Sequence, residues 1–159
     1  MRGFDDRLRE GSQVMLEVTV IEHFELDRAR LWDALADLES HREWMTDVRE
    51  LCFLTEQRSG VGATYEITVG LLRMRDHIEV ITWDRPRELA ITHRIGPARG
   101  EGRFLLAVDG AGTRLEWQAR FEIPRWAGGG LTARLGVPAT RRLLTRNLGS
   151  LRRWLADRR

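Results

Sequence analysis

Apolar and polar residues alternate with two different periods along this chain, and the change of period divides it into predicted elements. The segment 14–24 is rich in β-branched residues and predicts a strand. Asp27 then offers an N-cap to a helix that runs through Glu39, because leucine and alanine recur there at helical spacing. Ser40 and Glu43 form a capping-box pattern, which predicts a second short helix.

From residue 48 to residue 124 the apolar period is two, which predicts a run of strands. Short turn signals separate six predicted strands, at 48–56, 62–72, 73–83, 87–95, 101–109 and 113–123. Consecutive strands with links this short are expected to pair as an antiparallel meander. The last strand alternates between an apolar face and a polar face. One face of the sheet is therefore buried and needs a cover.

A long amphipathic helix predicted at the C-terminus supplies that cover. Its apolar stripe consists of Val137, Leu144, Leu148, Leu151 and Leu155. Pro138 is expected to begin or kink the helix, because proline is best tolerated in the first turn. The elements together predict an α+β fold with a seven-stranded curved antiparallel sheet wrapped round the long C-terminal helix. Two short helices follow the first strand.

The composition limits the class of protein. With 42% hydrophobic and 31% charged residues in a chain of 159, we expect one globular domain at 14–157 after a polar leader at 1–13. The N-terminus lacks the apolar core of a signal peptide and no run of residues reaches transmembrane length, so we expect a cytoplasmic protein. The single cysteine, Cys52, excludes an internal disulfide and is expected to be buried.

The charged residues exclude several kinds of chemistry. All 26 basic residues are arginine, so Schiff-base catalysis and P-loop phosphate binding, which need lysine, are excluded. The histidines show no metal-ligand spacing, and neither a dinucleotide fingerprint nor a serine-hydrolase motif is present, so no metal and no cofactor is predicted. Residues 131–159 hold eight arginines and one acid. This segment is either a solvated helix face or a module that docks to RNA, ribosomes or an anionic membrane.

Four local stretches resemble the START-related (SRPBCC) helix-grip superfamily. They are FELDRARLW at 24–32, EWMTDV at 43–48, WDRPREL at 83–89 and GTRLEW at 112–117. The resemblance covers about residues 14–157 and is greatest to the polyketide cyclase/dehydrase-like branch. It implies a helix-grip fold with a cavity between the concave face of the sheet and the long helix. Relatives use this cavity to hold lipids, sterols, aromatic polyketides or hormones, and some catalyse cyclisation or dehydration there.

Three polar residues on apolar strand faces are expected to enter such a cavity. His93 is either a hydrogen-bonded core histidine or a group that orients a ligand or exchanges protons with it. Tyr65 either needs a partner inside the cavity or places its hydroxyl at the surface. Asp76 is expected near the wet end of its strand or paired with an arginine such as Arg103. If the protein is an enzyme, the resemblance implies a cyclase, aromatase or dehydratase, that is, a lyase or isomerase, with these three residues as its catalytic groups.

The expected partner is a hydrophobic small molecule, either aromatic polyketide-like or lipid-like. Residues expected to contact it are Trp117, Ile91, Phe121, Leu144 and Leu148, with Trp44 and Trp126 at the mouth. Ordinary core or rim packing is the alternative for each tryptophan. The stretch PRWAGGGL at 124–131 is either a glycine hinge that admits the ligand or a plain connector.

Overall fold

The computed structural model of the protein describes residues 13–95, 99–124 and 129–158. In chain order the elements are β1 (Gln13–Phe24), α1 (Arg28–Ala36), a 3-10 turn (Leu38–Ser40), α2 (His41–Trp44), β2 (Val48–Phe53), β3 (Thr64–Val69), β4 (Met74–Asp84), β5 (Glu88–Ile95), β6 (Arg99–Asp109), β7 (Gly112–Pro124) and α3 (Gly129–Ala156). The predicted order of seven strands, two short helices and one long helix is confirmed.

All seven strands form one antiparallel sheet with the order β1-β7-β6-β5-β4-β3-β2. Strands β2 to β7 are the predicted meander. β1 closes the arrangement by pairing with β7 along its full length, from Gln13 opposite Pro124 to Phe24 opposite Thr113. Because α3 packs along β1, β7 and α2, it covers the inner face of the sheet and the sheet wraps round it.

The two short helices begin in different ways. The Asp27 side chain accepts hydrogen bonds from the backbone N–H groups of Ala29 and Arg30, at 2.9 and 3.3 Å, so the predicted N-cap of α1 is confirmed. The predicted capping box is wrong. Ser40 already has helical backbone angles, and its hydroxyl donates to the Asp37 carbonyl at 2.7 Å. Glu43 accepts from Trp154 instead, and thereby ties α2 to the end of α3.

Of the two roles predicted for Pro138, beginning the long helix or kinking it, the first is wrong, because the helix begins earlier. It starts at Gly129, so Pro138 lies inside the helix and does not begin it. Gly129 and Gly130 belong to the first turn of α3 rather than to a hinge loop, while Trp126 lies outside the described residues. The apolar stripe is confirmed at its centre, where the leucines of the helix face the core. Leu144, Leu148 and Leu151 are buried.

Two side chains are more exposed than their sequence patterns indicate. The strand predicted at 62–72 ends at Val69, and Leu71 lies in the turn to β4 with 88% of its surface exposed. Cys52 was expected to be buried, but it is exposed on β2 at the edge of the sheet. The period-two pattern of β3 continues past the point where the tertiary structure provides cover, whereas Cys52 lies on the outer face of β2, between the partly buried Leu51 and Phe53.

Candidate functional site

A cavity of about 260 Å³ lies between the inner face of the sheet and α3. Its walls are mostly apolar, and strands β2 to β7, α2 and α3 all contribute to them. The lining residues are His41, Met45, Asp47, Val48, Tyr65, Ile67, Val69, Asp76, Ile78, Leu89, Ile91, His93, Gly102, Phe104, Trp117, Ala119, Phe121, Thr140, Leu143, Leu144 and Asn147. The three polar strand residues singled out in the sequence, His93, Tyr65 and Asp76, all line this one cavity.

His93 and Asp76 form a hydrogen-bonded pair across neighbouring strands. Asp76 stands on β4 and His93 on β5, and the His93 Nδ1 lies 2.5 Å from the Asp76 Oδ2. A carboxylate oxygen only accepts hydrogen bonds, so Nδ1 is the donor. This leaves Nε2 as the His93 nitrogen that can accept a proton from a ligand or hydrogen-bond to it. A carboxylate that fixes the tautomer of an imidazole in this way is an arrangement suited to acid–base chemistry.

Of the two expectations for Asp76, a place near the wet end of its strand or a pairing with an arginine such as Arg103, the pairing with Arg103 is wrong. Arg103 follows Gly102, which lines the cavity, so alternation along β6 directs its side chain to the opposite face of the sheet. There it forms ion pairs with Glu88 at 3.1 Å and Glu101 at 3.4 Å. Asp76 is only 7% exposed, and its Oδ1 has no hydrogen-bond partner among the described residues.

Tyr65 lies in the same part of the cavity wall. It is fully enclosed on β3, and burial together with the nearby Asp76 carboxylate raises the pKa of its phenol above the ordinary value. Tyr65 therefore stays a neutral hydroxyl that can donate or accept a hydrogen bond at physiological pH. On the other side of the pair, the His93 ring lies 5.2 Å from the Phe121 ring, centroid to centroid.

His41 is a cavity residue that the sequence did not indicate. It opens α2, its Nε2 donates to the Leu35 carbonyl at 2.7 Å, and its ring packs edge-on against Trp44. Burial lowers the pKa of His41 to about 4, because the imidazolium would lose its hydration. His41 is thus a neutral imidazole in the folded protein. A histidine at the start of a polar four-residue helix carries no sequence signal of burial.

Asn147 is a second cavity residue that the sequence did not indicate. Its side chain accepts from the Thr46 backbone N–H at 2.9 Å and from the Thr46 hydroxyl at 2.8 Å, and it donates to the Asp47 carboxylate at 2.9 Å. These bonds join α3 to the link between α2 and β2. They hold the helix over one end of the cavity. Asn147 directly precedes Leu148 of the apolar stripe, but this adjacency does not distinguish a buried polar residue from an exposed one.

The predicted ligand contacts divide into three groups. Trp117, Ile91, Phe121 and Leu144 line the cavity. Trp44 and Leu148 belong to the core and do not line it, so the expected positions of Trp44 at the mouth and of Leu148 on the wall are wrong. Trp126 lies outside the described residues.

Three of the six arginines of α3 contact other parts of the fold. Arg141 donates to the Thr19 carbonyl, Arg146 to the Thr46 hydroxyl, and Arg152 to Glu22. These contacts leave a smaller free cationic face than the sequence indicated. Within the described residues no cluster of histidine, cysteine and acidic side chains is arranged to hold a metal ion. None of the described helices combines the length and the apolar character needed to cross a bilayer.

Acid is expected to destabilise the fold through His41. Its pKa is about 4 in the folded protein and near 6.5 in the unfolded chain, so between these values the unfolded chain binds a proton that the folded protein does not. This contribution to stability is present above pH 6.5 and is lost as the pH falls towards 4. The loss amounts to about 3 kcal/mol.

Urea unfolding at several pH values between neutral and mildly acid measures this effect. The proteins compared are wild type, His41→Gln and the control His77→Gln. His77 is only half-buried and pairs with Glu66 on the outer side of β4. We expect the free energy of unfolding of His41→Gln to decrease less than that of wild type as the pH falls. We expect His77→Gln to show the same decrease as wild type. Equal pH dependence in wild type and His41→Gln would contradict the assignment.

Comparison with known proteins gives one family and a set of similar folds. The family model described as polyketide cyclase / dehydrase and lipid transport matches residues 15–156. No curated protein sequence matches the chain significantly.

Three solved structures illustrate the similarity of fold. The protein TTHA0849 from Thermus thermophilus has a TM-score of 0.74 at 20% identity, over 86% of this chain and 94% of its own. Norcoclaurine synthase from Thalictrum flavum, in complex with dopamine and hydroxybenzaldehyde, has a TM-score of 0.73 at 11% identity, over 100% and 95%. The ZhuI aromatase/cyclase from a Streptomyces species has a TM-score of 0.72 at 16% identity, over 91% and 96%. At these identities the likeness concerns the fold, and the predicted helix-grip architecture is confirmed.

Proposed function

The chain belongs to the polyketide cyclase/dehydrase and lipid transport family, and we propose that it binds a hydrophobic, aromatic polyketide-like or lipid-like molecule in the cavity under α3. The observation that carries this proposal is the cavity itself: apolar walls enclose a small number of convergent polar groups. Apolar walls supply affinity, and a few fixed polar groups set the orientation of a ligand. A binding function of this kind needs no metal or cofactor.

The size of the cavity supports a small ligand. Small-molecule pockets usually measure about 300–1,000 Å³, and this one, at about 260 Å³, lies just below that range. An unfilled apolar space of this size weakens a core, because the side chains around it lose packing contacts. A ligand that fills the space restores these packing contacts. The space suits a molecule of one to three fused rings better than a long acyl chain.

Filling the cavity is expected to abolish uptake of a hydrophobic probe. Ala119 faces inward on β7 and lines the cavity, so Ala119→Phe places a ring in the space that the ligand would occupy. Ala139 is exposed on α3 and gives a matched control, Ala139→Phe. Titration with the neutral fluorescent probe N-phenylnaphthylamine should give saturable binding to wild type and to the control. We expect affinity for Ala119→Phe to be at least about tenfold weaker.

Native mass spectrometry of the freshly purified protein gives an independent measurement. A reproducible additional mass of small-molecule size in wild type, absent from Ala119→Phe, would support the proposal. Failure of the wild-type protein to bind the probe, together with equal probe response in all three proteins, would contradict it. Circular dichroism of each variant checks that the fold is retained.

The second candidate function is catalysis of cyclisation, aromatisation or dehydration, and the His93–Asp76 pair favours it. His93 Nε2 is positioned to remove a proton from a carbon next to a carbonyl, while Asp76 holds the ring and stabilises the imidazolium that forms. The same imidazolium returns the proton to a departing hydroxyl, which leaves as water. Tyr65 is positioned to donate a hydrogen bond to the developing enolate.

A time course separates the two functions. A carrier releases the molecule with which it was loaded, with its mass unchanged and its structure intact. A dehydratase releases a product that is lighter by one water, and a cyclase releases an isomer of equal mass with a new retention time. Mass spectrometry and chromatography of the released molecule, after incubation with wild type and with His93→Phe, distinguish these outcomes.

A further inference from the structure

The charged residues in the cavity wall are of one sign. The chain has 26 basic residues, all of them arginine, yet none of the described residues that line the cavity is an arginine. Two of the lining residues are aspartates, Asp47 and Asp76. A site built for an anion normally presents a guanidinium or another fixed cation to it. This wall presents the opposite charge.

Among the described residues, neither aspartate forms an ion pair with an arginine. Asp76 accepts one hydrogen bond, from His93, and its Oδ1 has no partner among the described residues. Asp47 accepts from the neutral amide of Asn147. Charges in an enclosed apolar space interact more strongly than charges in water, because solvent does not screen them. An anionic ligand would therefore meet uncompensated negative charge, whereas a hydrogen-bond donor would satisfy it.

Aromatic side chains form part of the same wall. The Phe121 ring lies beside His93, and the Phe104 ring lies 4.8 Å from that of Trp117, centroid to centroid. All of these side chains line the cavity. Such a wall accommodates a flat ring and offers it offset and edge contacts.

We infer that the cavity selects small aromatic molecules that present a hydrogen-bond donor, such as a phenolic hydroxyl or an ammonium group, to the Asp76–His93 pair, and rejects carboxylates such as free fatty acids. This inference rests on the proposed ligand-binding function and specifies its ligand class. The donor interacts with the carboxylate of Asp76 directly, or with the imidazole Nε2 that Asp76 polarises. The negative field that favours the donor disfavours a carboxylate of the same size.

Isothermal titration calorimetry with three naphthalene derivatives of the same substitution pattern tests the inference. They are a naphthol, a naphthylmethylamine and a naphthoate, which at neutral pH carry a neutral donor, a cationic donor and an anion. We expect the naphthol and the naphthylmethylamine to bind wild type at least about tenfold more tightly than the naphthoate. Asp76→Asn should bring the three affinities to within about threefold of one another. Asp109→Asn, an exposed aspartate outside the cavity, should leave the wild-type order.

The outcomes separate the inference from the function on which it rests. Naphthoate that binds wild type as tightly as the naphthol would overturn the donor selection and leave the cavity a binding site. No binding by any of the three, together with no uptake of N-phenylnaphthylamine, would overturn the binding function itself. The affinities of the three naphthalene derivatives for the wild-type protein test the inference even if Asp76→Asn does not fold.

Discussion

Replacing Trp44 by alanine is expected to lower the free energy of unfolding by about 3–5 kcal/mol, the range found when large aromatic side chains are removed from cores. Trp44 is 0% exposed and lies at the end of the four-residue helix α2. Its ring packs edge-on against His41 at 5.1 Å and Trp117 at 6.3 Å, centroid to centroid. A helix of one turn has little stability of its own, so the packing of this ring holds α2 in place.

Chemical unfolding of wild type, Trp44→Ala and the matched control Trp44→Phe measures this effect. The indole Nε1 of Trp44 has no hydrogen-bond partner among the described residues, so phenylalanine removes no hydrogen bond and should cost roughly 1 kcal/mol. A stability change within about 0.5 kcal/mol for Trp44→Ala, combined with a loss of probe affinity, would instead place this side chain at the mouth of the cavity.

Replacing His93 by phenylalanine is expected to lower turnover by about 10²–10⁴-fold if the protein is an enzyme, the usual contribution of one general acid–base group. Affinity for an apolar ligand that makes no hydrogen bond to the pair should change little, because phenylalanine keeps the ring contact with Phe121 and fills most of the same space. Asp76→Asn should lower turnover as well, since an amide partner no longer stabilises the imidazolium formed during the reaction. The measurement is turnover and ligand affinity for each variant, made separately.

His77→Phe is the matched control for this experiment. His77 lies one position from Asp76 on β4, and its Nε2 bonds to Glu66 on the opposite face of the strand. Normal turnover is expected for this variant. Normal turnover in His93→Phe as well would exclude the His93–Asp76 pair from catalysis and leave a binding protein.

The order of elements followed from the sequence because hydrophobic periodicity is local information. The clean alternation of β7, from Leu115 to Ile123, and the leucine stripe of α3 each specify one buried face without reference to the rest of the chain. The cap of α1 by Asp27 was likewise predicted from neighbouring residues alone. The errors occurred where local signals competed. Ser40 and Glu43 have the right spacing for a capping box, but Ser40 bonds back to Asp37 and Glu43 reaches the end of α3.

Part of the candidate site was also predicted, because the face on which a strand residue lies can be read from local periodicity. His93, Tyr65 and Asp76 were identified because each is a polar residue on an apolar strand face, and the structure places all three along one cavity. His41 and Asn147 were missed, because nothing in their immediate sequence distinguishes a buried polar residue from an exposed one. Their burial depends on how α2 and α3 pack together.

The sequence by itself determined the strands, the helices, the single buried face of the sheet and the inward direction of a few polar side chains. The tertiary structure alone decided which of those side chains meet. Asp76 and His93 are 17 residues apart and pair through the register of β4 and β5, which shifts at two points along the two strands. Arg103, which the sequence offered as one possible partner of Asp76, points to the other face. Side-chain direction alternates along a strand and can be read locally, whereas cross-strand contact depends on register, which the whole sheet sets.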